Sequence, residues 1–396
     1  MKQIFNLKYI SLCLLLVLTA LSYHPRFSSF VTEDNATNPL SRYIIIMTVF
    51  TFGLYAFKLR WKDNGFVYTF AKYLFAIAIV GGCIMLIGLS SSYLSEAKNI
   101  LMAFIFLLLG YNSKLSPLQF VSLIFIYSLA VSYSVLNQII SNIGGFVISD
   151  LYLQYGKNTL GVMTASSCIA LLFVSLHSNK RYIKILGWLL FLALLFFTIT
   201  IRARAAFLSI FLLSVFIIFR NIKDRNADTS HIIAFVLFAF IIFLTVSIFS
   251  NRVAGIWDYI FSSFTQNQGN DLTSGRMSRN IFAINLIEES PFWGNLTLGY
   301  QYDWIHNYVL RQISSYGLLG SMPLMILYFY IVIFIIKQVF RNRLILDNIG
   351  FVVFILPLII SLEEPTFPFA PGTGIIFPFI LLGISLAYQN TDTCNF

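Results

Sequence analysis

Charged residues are scarce in this chain. Only 11% of its 396 residues are Asp, Glu, Lys or Arg, whereas 58% are hydrophobic and 17% are aromatic. Soluble globular proteins carry about 25% charged residues, and a water-soluble domain of this size cannot bury so much apolar surface. The deficit excludes an ordinary soluble protein and predicts an all-α, polytopic integral membrane protein.

Cysteine is scarce as well, and so are the motifs of soluble enzymes. Of the four cysteines, Cys13, Cys83 and Cys168 lie inside apolar runs and Cys394 lies near the C-terminus. No CxxC spacing occurs, which argues against a disulfide framework and a metal site. The sequence also has no metal-binding His, Asp and Glu spacing, no glycine-rich phosphate loop and no nucleophile elbow. We therefore expect neither a metal nor another cofactor.

The chain instead contains a series of long apolar runs. The apolar core of a bilayer is about 30 Å thick, so a crossing helix needs about 20 mostly apolar residues. No small-x-small cleavage site follows the N-terminal run to Tyr23, so we interpret that run as a retained first helix. This criterion predicts about twelve spans, at residues 5–23, 41–58, 67–88, 98–112, 116–139, 159–177, 184–201, 205–219, 232–250, 317–337, 348–363 and 371–390.

The positions of the basic residues predict how these spans are oriented. The net charge of +10 fits either nucleic-acid binding or a membrane protein whose cytoplasmic loops collect Lys and Arg. With the N-terminus inside, more than half of the 26 Lys and Arg residues fall on cytoplasmic segments. This bias favours a membrane protein that binds no nucleic acid. It predicts cytoplasmic termini and places residues 251–316 on the outer side.

Residues 251–316 form the one long polar segment of the sequence. They divide the chain into transmembrane helices at residues 1–250, a large outer loop at 251–316 and further transmembrane helices at 317–396. The loop holds four arginines: Arg252, Arg276, Arg279 and Arg311. Acidic residues nearly balance these arginines, so we expect each arginine to have a particular partner, either one of those acids or an anionic ligand.

Two helices are predicted in this segment. Arg276–Glu289 has an amphipathic helical pattern, and Pro291 follows it. The apolar stripe of this helix consists of Met277, Ile281, Ile284 and Ile287. A second helical pattern begins near Trp304, where Asn307 and Arg311 share a polar face with His306 on its flank.

Arg202 and Arg204 interrupt the joint between two predicted spans on the outer side. Arginine at a membrane interface is costly enough to require a reason. One reason is a bidentate grip on a phosphate or diphosphate. The other is snorkelling of the side chain toward lipid headgroups. The residues alone leave both interpretations open.

His306 and Glu364 are candidates for proton transfer and substrate binding. His306 lies among aromatic residues at the outer mouth of a predicted helix. A neutral imidazole there can take a proton from an attacking hydroxyl, although a lone histidine also fits a structural role. Glu363 and Glu364 form a carboxylate pair at the outer end of another span. They either pair with an arginine, bind a substrate or lie in a solvated loop.

Several short motifs together resemble one family of bacterial envelope proteins. They are Thr-Ile-Arg-Ala-Arg-Ala-Ala-Phe-Leu at residues 200–208, Gly-Arg at 275–276, Ser-Pro-Phe-Trp-Gly at 290–294, Gly299, His-Asn-Tyr-Val-Leu at 306–310 and Tyr-Gly-Leu-Leu-Gly at 316–320. This pattern is similar to that of the O-antigen polymerase and ligase superfamily. The shared features are an arginine-containing helix start, an outer loop with arginine, a Pro-x-x-Gly step and His-Asn before a Gly-Leu-x-Gly helix.

The resemblance implies a GT-C-like fold in the bacterial inner membrane, with residues 251–316 in the periplasm. It implies metal-independent glycosyl transfer from an undecaprenyl-diphosphate-linked oligosaccharide. By position, Arg204 and Arg276 hold the diphosphate, and His306 acts as the base or orients the acceptor hydroxyl. The first motif reads Arg-Ala-Arg rather than the commoner Ser/Thr-Arg, which makes Arg202 an alternative to Arg204. The expected substrate-binding residues are Arg202, Arg279, Asn307, Arg311 and Glu364.

Three functions follow as alternatives. A polymerase joins lipid-linked repeat units, whereas a ligase transfers the glycan to lipid A–core at the same kind of site. The sequence Glu-Glu-Pro-Thr-Phe-Pro at residues 363–368 resembles the polymerases, so we expect a polymerase. A flippase or exporter is the rival from another class, but its central cavity would carry charge, and mid-span charge is sparse here. The expected partners are the lipid-linked oligosaccharide, the lipid bilayer and a chain-length regulator protein.

Overall fold

The chain folds into a bundle of α-helices. The computed structural model describes residues 7–26, 39–56, 59–87, 92–142, 150–200, 204–225, 276–295, 305–341, 345–364, 367–369 and 372–389, and these ranges contain no strand. The helices are α1 (Leu7–Leu21), α2 (Pro39–Ala56), α3 (Gly65–Leu86), α4 (Ser92–Tyr111), α5 (Pro117–Asn142), α6 (Asp150–His177), α7 (Arg181–Thr200), α8 (Arg204–Arg225), α9 (Arg276–Glu289), α10 (Tyr308–Arg341), α11 (Ile349–Ile360) and α12 (Gly372–Gln389). This architecture confirms the predicted all-α class.

Within the described ranges, six helices are long and apolar enough to cross a membrane. They contain the segments Gly65–Leu86, Ser92–Tyr111, Pro117–Ile140, Thr159–His177, Arg181–Thr198 and Tyr308–Arg341. Shorter apolar helices accompany them, such as Leu7–Leu21 and Gly374–Gln389. These are the helices of a polytopic membrane protein. The count of about twelve spans stays a prediction, and the predicted span at 232–250 lies outside the described residues.

Helix α6 is the centre of the bundle. The whole apolar segment Thr159–His177 is buried, and α5, α7, α8, α11 and α12 all pack against it. Small side chains let neighbouring helices approach closely in a membrane protein, and α6 carries several of them. Thr198 of α7 donates a hydrogen bond to Thr164 of α6 (3.1 Å). Gly187 of α7 lies against Ser175 of α6, so that a Cβ at Gly187 would displace the Ser175 hydroxyl.

Helices α8 and α10 meet near their last residues. Arg220, near the end of α8, donates a hydrogen bond from Nη2 to the carbonyl of Phe340, near the end of α10 (3.2 Å). The chain runs toward this shared end in both helices, so their first residues, Arg204 and Tyr308, lie away from it. We call the end of the bundle around Tyr308 the site end.

The predicted boundary at residues 316 and 317 falls inside helix α10. The sequence pattern predicts a helix from near Trp304, and the structure confirms this helix with its first residue at Tyr308. Its backbone is interrupted at Gly317, where φ is 63° and ψ is 179°. Tyr308 and Tyr316 are buried, so the turns before Gly317 belong to the helical bundle rather than to a solvated loop.

The predicted amphipathic helix is confirmed with both of its bounds, as α9. Its buried side chains are Ala283 and Leu286, whereas Ile281 and Ile284 of the apolar stripe are exposed. The face that packs on the protein is therefore a different one from the apolar stripe. The remaining parts of the predicted loop, residues 251–275 and 296–304, lie outside the described residues.

Candidate functional site

The start of α10 is capped by its own side chain and tied to the end of α11 by two hydrogen bonds. Asn307 caps α10, because its Oδ1 accepts from the backbone N–H of Leu310 (3.0 Å), as an N-cap side chain does. Its Nδ2 donates to the carbonyl of Leu362 (3.2 Å). The N–H of Tyr308 donates to the carbonyl of Ser361 (3.0 Å). These bonds hold the residue before the cap, a histidine, beside the chain that leaves α11.

His306 and Glu364 face each other across this junction. His306 Nδ1 lies 3.8 Å from Glu364 Oε2, and the two side chains are 22% and 11% exposed. A small movement would bring the two atoms into hydrogen-bond distance, and such contacts often tighten only when substrate binds. At hydrogen-bond distance the carboxylate would hold a proton on Nδ1, which would leave Nε2 able to accept one. The structure thus brings together two residues that are 58 positions apart in sequence.

Arg311 forms a buried ion pair with Glu96 of α4. Arg311 Nη1 donates to Glu96 Oε1 at 2.8 Å, and each side chain is only 4% exposed. A buried pair of this kind is stable when each charge has its partner. The backbone N–H of Arg311 also donates to the Asn307 carbonyl in the first turn of α10 (2.9 Å). The ion pair therefore fixes the helix that begins beside His306.

Tyrosine rings surround this ion pair. Tyr93 of α4 and Tyr316 of α10 meet edge to face, with ring centroids 4.9 Å apart. Tyr308 lies 5.2 Å from Tyr328 between ring centroids, and the Tyr328 hydroxyl shares a hydrogen bond with Ser361 Oγ (2.8 Å). Aromatic packing excludes water, and a lower local dielectric strengthens the attraction between the paired charges.

The turn after α9 docks on the interruption in α10. Gly294 and Gly317 both have positive φ, at 60° and 63°. A Cβ at either position would overlap the backbone of the other segment, so the two chains approach too closely for any other residue. The N–H of Leu318 donates to the carbonyl of Pro291 (2.8 Å). This contact joins the predicted Pro-x-x-Gly step to the predicted Gly-Leu-x-Gly helix.

For the predicted site residues Arg204 and Arg276, the structure describes the position in the helix but not the side chain. Arg204 is the first residue of α8 and Arg276 is the first residue of α9, but their side chains are outside what the structure describes. Arg279 lies in α9 and is half-buried. Arg202 falls outside the described residues. The proposed diphosphate contacts of these arginines stay predictions, as does substrate binding by Arg311, which has Glu96 as a partner within the protein.

Glu96 is a site residue that the sequence analysis does not single out. It is the one acidic residue of α4, at the outer end of a predicted span. An ionisable residue within an apolar helix normally faces a partner. That rule could have selected Glu96 as a candidate, but the partner lies 215 residues further along the chain.

The described part of the site thus contains one buried ion pair and one mostly buried His–Glu pair. The second pair is the more accessible to a ligand, because 22% of the His306 side chain is exposed. Among the described residues, no group of three or more His, Cys, Asp or Glu side chains could hold a metal ion. No protein-family model matches the chain, and comparison with the curated proteins finds no match.

Proposed function

We propose that this chain is an O-antigen (surface polysaccharide) polymerase. It would join undecaprenyl-diphosphate-linked repeat units at the periplasmic face of the bacterial inner membrane, as a metal-independent glycosyltransferase. The observation that supports this proposal most is the pairing of His306 Nδ1 with Glu364 Oε2 at 3.8 Å. The pair lies at the site end of the bundle, beside the start of α10.

The proposed reaction uses His306 as a general base. The acceptor hydroxyl oxygen attacks C1 of the lipid-linked glycan and forms the new glycosidic bond. The bond from C1 to the diphosphate oxygen breaks, and undecaprenyl diphosphate leaves with the electron pair. His306 Nε2 takes the hydroxyl proton, while Glu364 holds the proton on Nδ1 and stabilises the imidazolium that forms.

The leaving diphosphate requires positive charge around it. By the family resemblance, Arg204 and Arg276 supply that charge, with Arg202 as the alternative to Arg204. Both Arg204 and Arg276 stand first in a helix, where the backbone N–H groups and the helix dipole also attract an anion. Glu96 already neutralises Arg311, so we assign Arg311 to positioning the start of α10 rather than to the diphosphate.

The phenotype of a His306→Ala strain distinguishes the possible functions. We expect long surface chains to disappear while a single repeat unit remains attached to lipid A–core. An exposed residue of α9 supplies the matched control, and Asn285→Ala should keep the long chains. Loss of all attachment, with polymer accumulating on its lipid carrier, would instead identify a ligase. Loss of the flipped precursor would identify a transporter.

A further inference from the structure

Helix α9 presents three different faces. Ala283 and Leu286 are buried, and they form the face that packs against the protein. Ile281 and Ile284 are 50% and 44% exposed, and their spacing of three residues places them together on a second face. Glu289 is exposed on a third, polar face. A helix with one buried, one apolar and one polar face fits a boundary between three environments.

The turn after α9 continues the exposed apolar face. Phe292 and Trp293 are 57% and 66% exposed. The backbone carbonyl of Phe292 accepts a hydrogen bond from the N–H of Leu319 in α10 (3.2 Å). The turn that carries Phe292 and Trp293 is therefore held beside the start of the apolar outer surface of α10. We call Ile281, Ile284, Phe292 and Trp293 the interfacial face.

The exposed side of helix α10 indicates which environment the interfacial face contacts. Its exposed apolar side chains recur every three or four residues along one side of the helix. They are Leu319, Met322, Ile326, Phe329, Ile333, Ile336 and Phe340. In a helix long and apolar enough to cross a membrane, such a stripe is the side that contacts lipid. The turn at Phe292 is hydrogen-bonded to the first residue of this stripe, so the interfacial face and the lipid-facing surface are continuous.

We infer that α9 lies in the interfacial layer of the bilayer, with its interfacial face inserted among the phospholipids. Tryptophan and other aromatic residues favour the depth of the lipid headgroups, where an amphipathic helix also buries its apolar side. Arg276 and Arg279 balance Glu288 and Glu289 in α9. Burial of apolar surface therefore drives the insertion, and it does not require anionic lipid.

Spin-label accessibility tests this placement directly. The full-length chain, with its four cysteines replaced, receives single cysteines at Ile281 and Ile284, and a control at Glu289. Each variant is labelled with a nitroxide in vesicles of phosphatidylethanolamine and phosphatidylglycerol. We expect the labels at Ile281 and Ile284 to collide several-fold more with oxygen than with a water-soluble nickel complex. The label at Glu289 should show the opposite preference, and vesicles of phosphatidylcholine alone should give the same pattern.

Other outcomes would overturn the inference. If the label at Ile281 meets the nickel complex as readily as the label at Glu289, then this face lies in water. If neither reagent reaches it, then protein covers it. Spin–spin broadening that disappears on dilution with unlabelled chain would identify a second copy. Tryptophan fluorescence gives an independent readout. The contribution of Trp293 is the difference between the wild-type protein and the Trp293→Phe variant, and brominated phospholipids should quench that contribution. Both readouts report position and not activity, so neither depends on the proposed function.

Discussion

At the scale of single residues, the ion pair between Arg311 and Glu96 is the interaction with the largest expected energetic effect. Both side chains are almost fully buried. Removal of one partner leaves an uncompensated buried charge, which costs about 3–5 kcal/mol. Replacement of both partners by apolar residues of similar volume is often neutral or stabilising. The double substitution is therefore expected to cost less than either single substitution.

We predict that Arg311→Met and Glu96→Leu each lower the apparent melting temperature of the detergent-solubilised protein. The double variant Glu96→Leu/Arg311→Met should recover most of that loss, because it leaves no charge unpaired. Thermal unfolding followed by intrinsic fluorescence measures all of these variants. Single variants that melt at the wild-type temperature, or a double variant whose losses simply add, would contradict the pairing.

At the scale of elements, the contact between the turn after α9 and the interruption in α10 sets where α9 lies. Gly317 has φ 63° and ψ 179°, a backbone conformation that is essentially restricted to glycine and costs other residues about 1–3 kcal/mol. A Cβ there would also overlap the Phe292 carbonyl. Two glycines that are 23 positions apart in sequence thus hold α9 against the bundle.

We predict that Gly317→Ala releases α9 from α10. Trypsin should then cleave the chain after Arg279 faster, while the rest of the bundle stays folded. Gly82→Ala in α3 is the matched control, because nothing lies within 4 Å of its added Cβ. Limited proteolysis in detergent, followed by mass spectrometry, compares the two. Equal cleavage rates in the two variants would show that this contact does not fix α9.

The sequence predicts the helices of this region better than it predicts their contacts. Local patterns and Pro291 predict both bounds of α9, and a helix start near residue 304 is confirmed at Tyr308. The apolar stripe does not reveal which face of α9 packs on the protein, because small Ala283 permits close packing, whereas Ile281 is suited to lipid. The partner of Arg311 depends on a distant pairing that no local pattern contains.

At the scale of the whole molecule, the Arg311–Glu96 and His306–Glu364 pairs lie at the same end of the bundle. The starts of α4 and α10 and the end of α11 meet there, through the ion pair and the hydrogen bonds around Ser361. The centre of the bundle around α6 is closely packed. This distribution supports chemistry at one membrane face rather than passage through the centre. The orientation of that face toward the periplasm stays a prediction.

The most direct test of the proposed function is polymerisation by the purified chain. The protein is reconstituted in liposomes with undecaprenyl-diphosphate-linked repeat units, and the length of the lipid-linked glycan is followed over time. We predict that glycans longer than one repeat form without added metal. His306→Ala should slow this elongation by about 10²–10⁴-fold, the usual contribution of a general base.

Substitution of Glu364, which faces His306, tests the same mechanism further. Glu364→Gln should lower the rate, and the double variant should be no slower than His306→Ala alone, because the two residues act as a unit. Glu363→Gln is the matched control and should retain the wild-type rate. A folded His306→Ala protein that elongates the glycan at the wild-type rate would contradict the account.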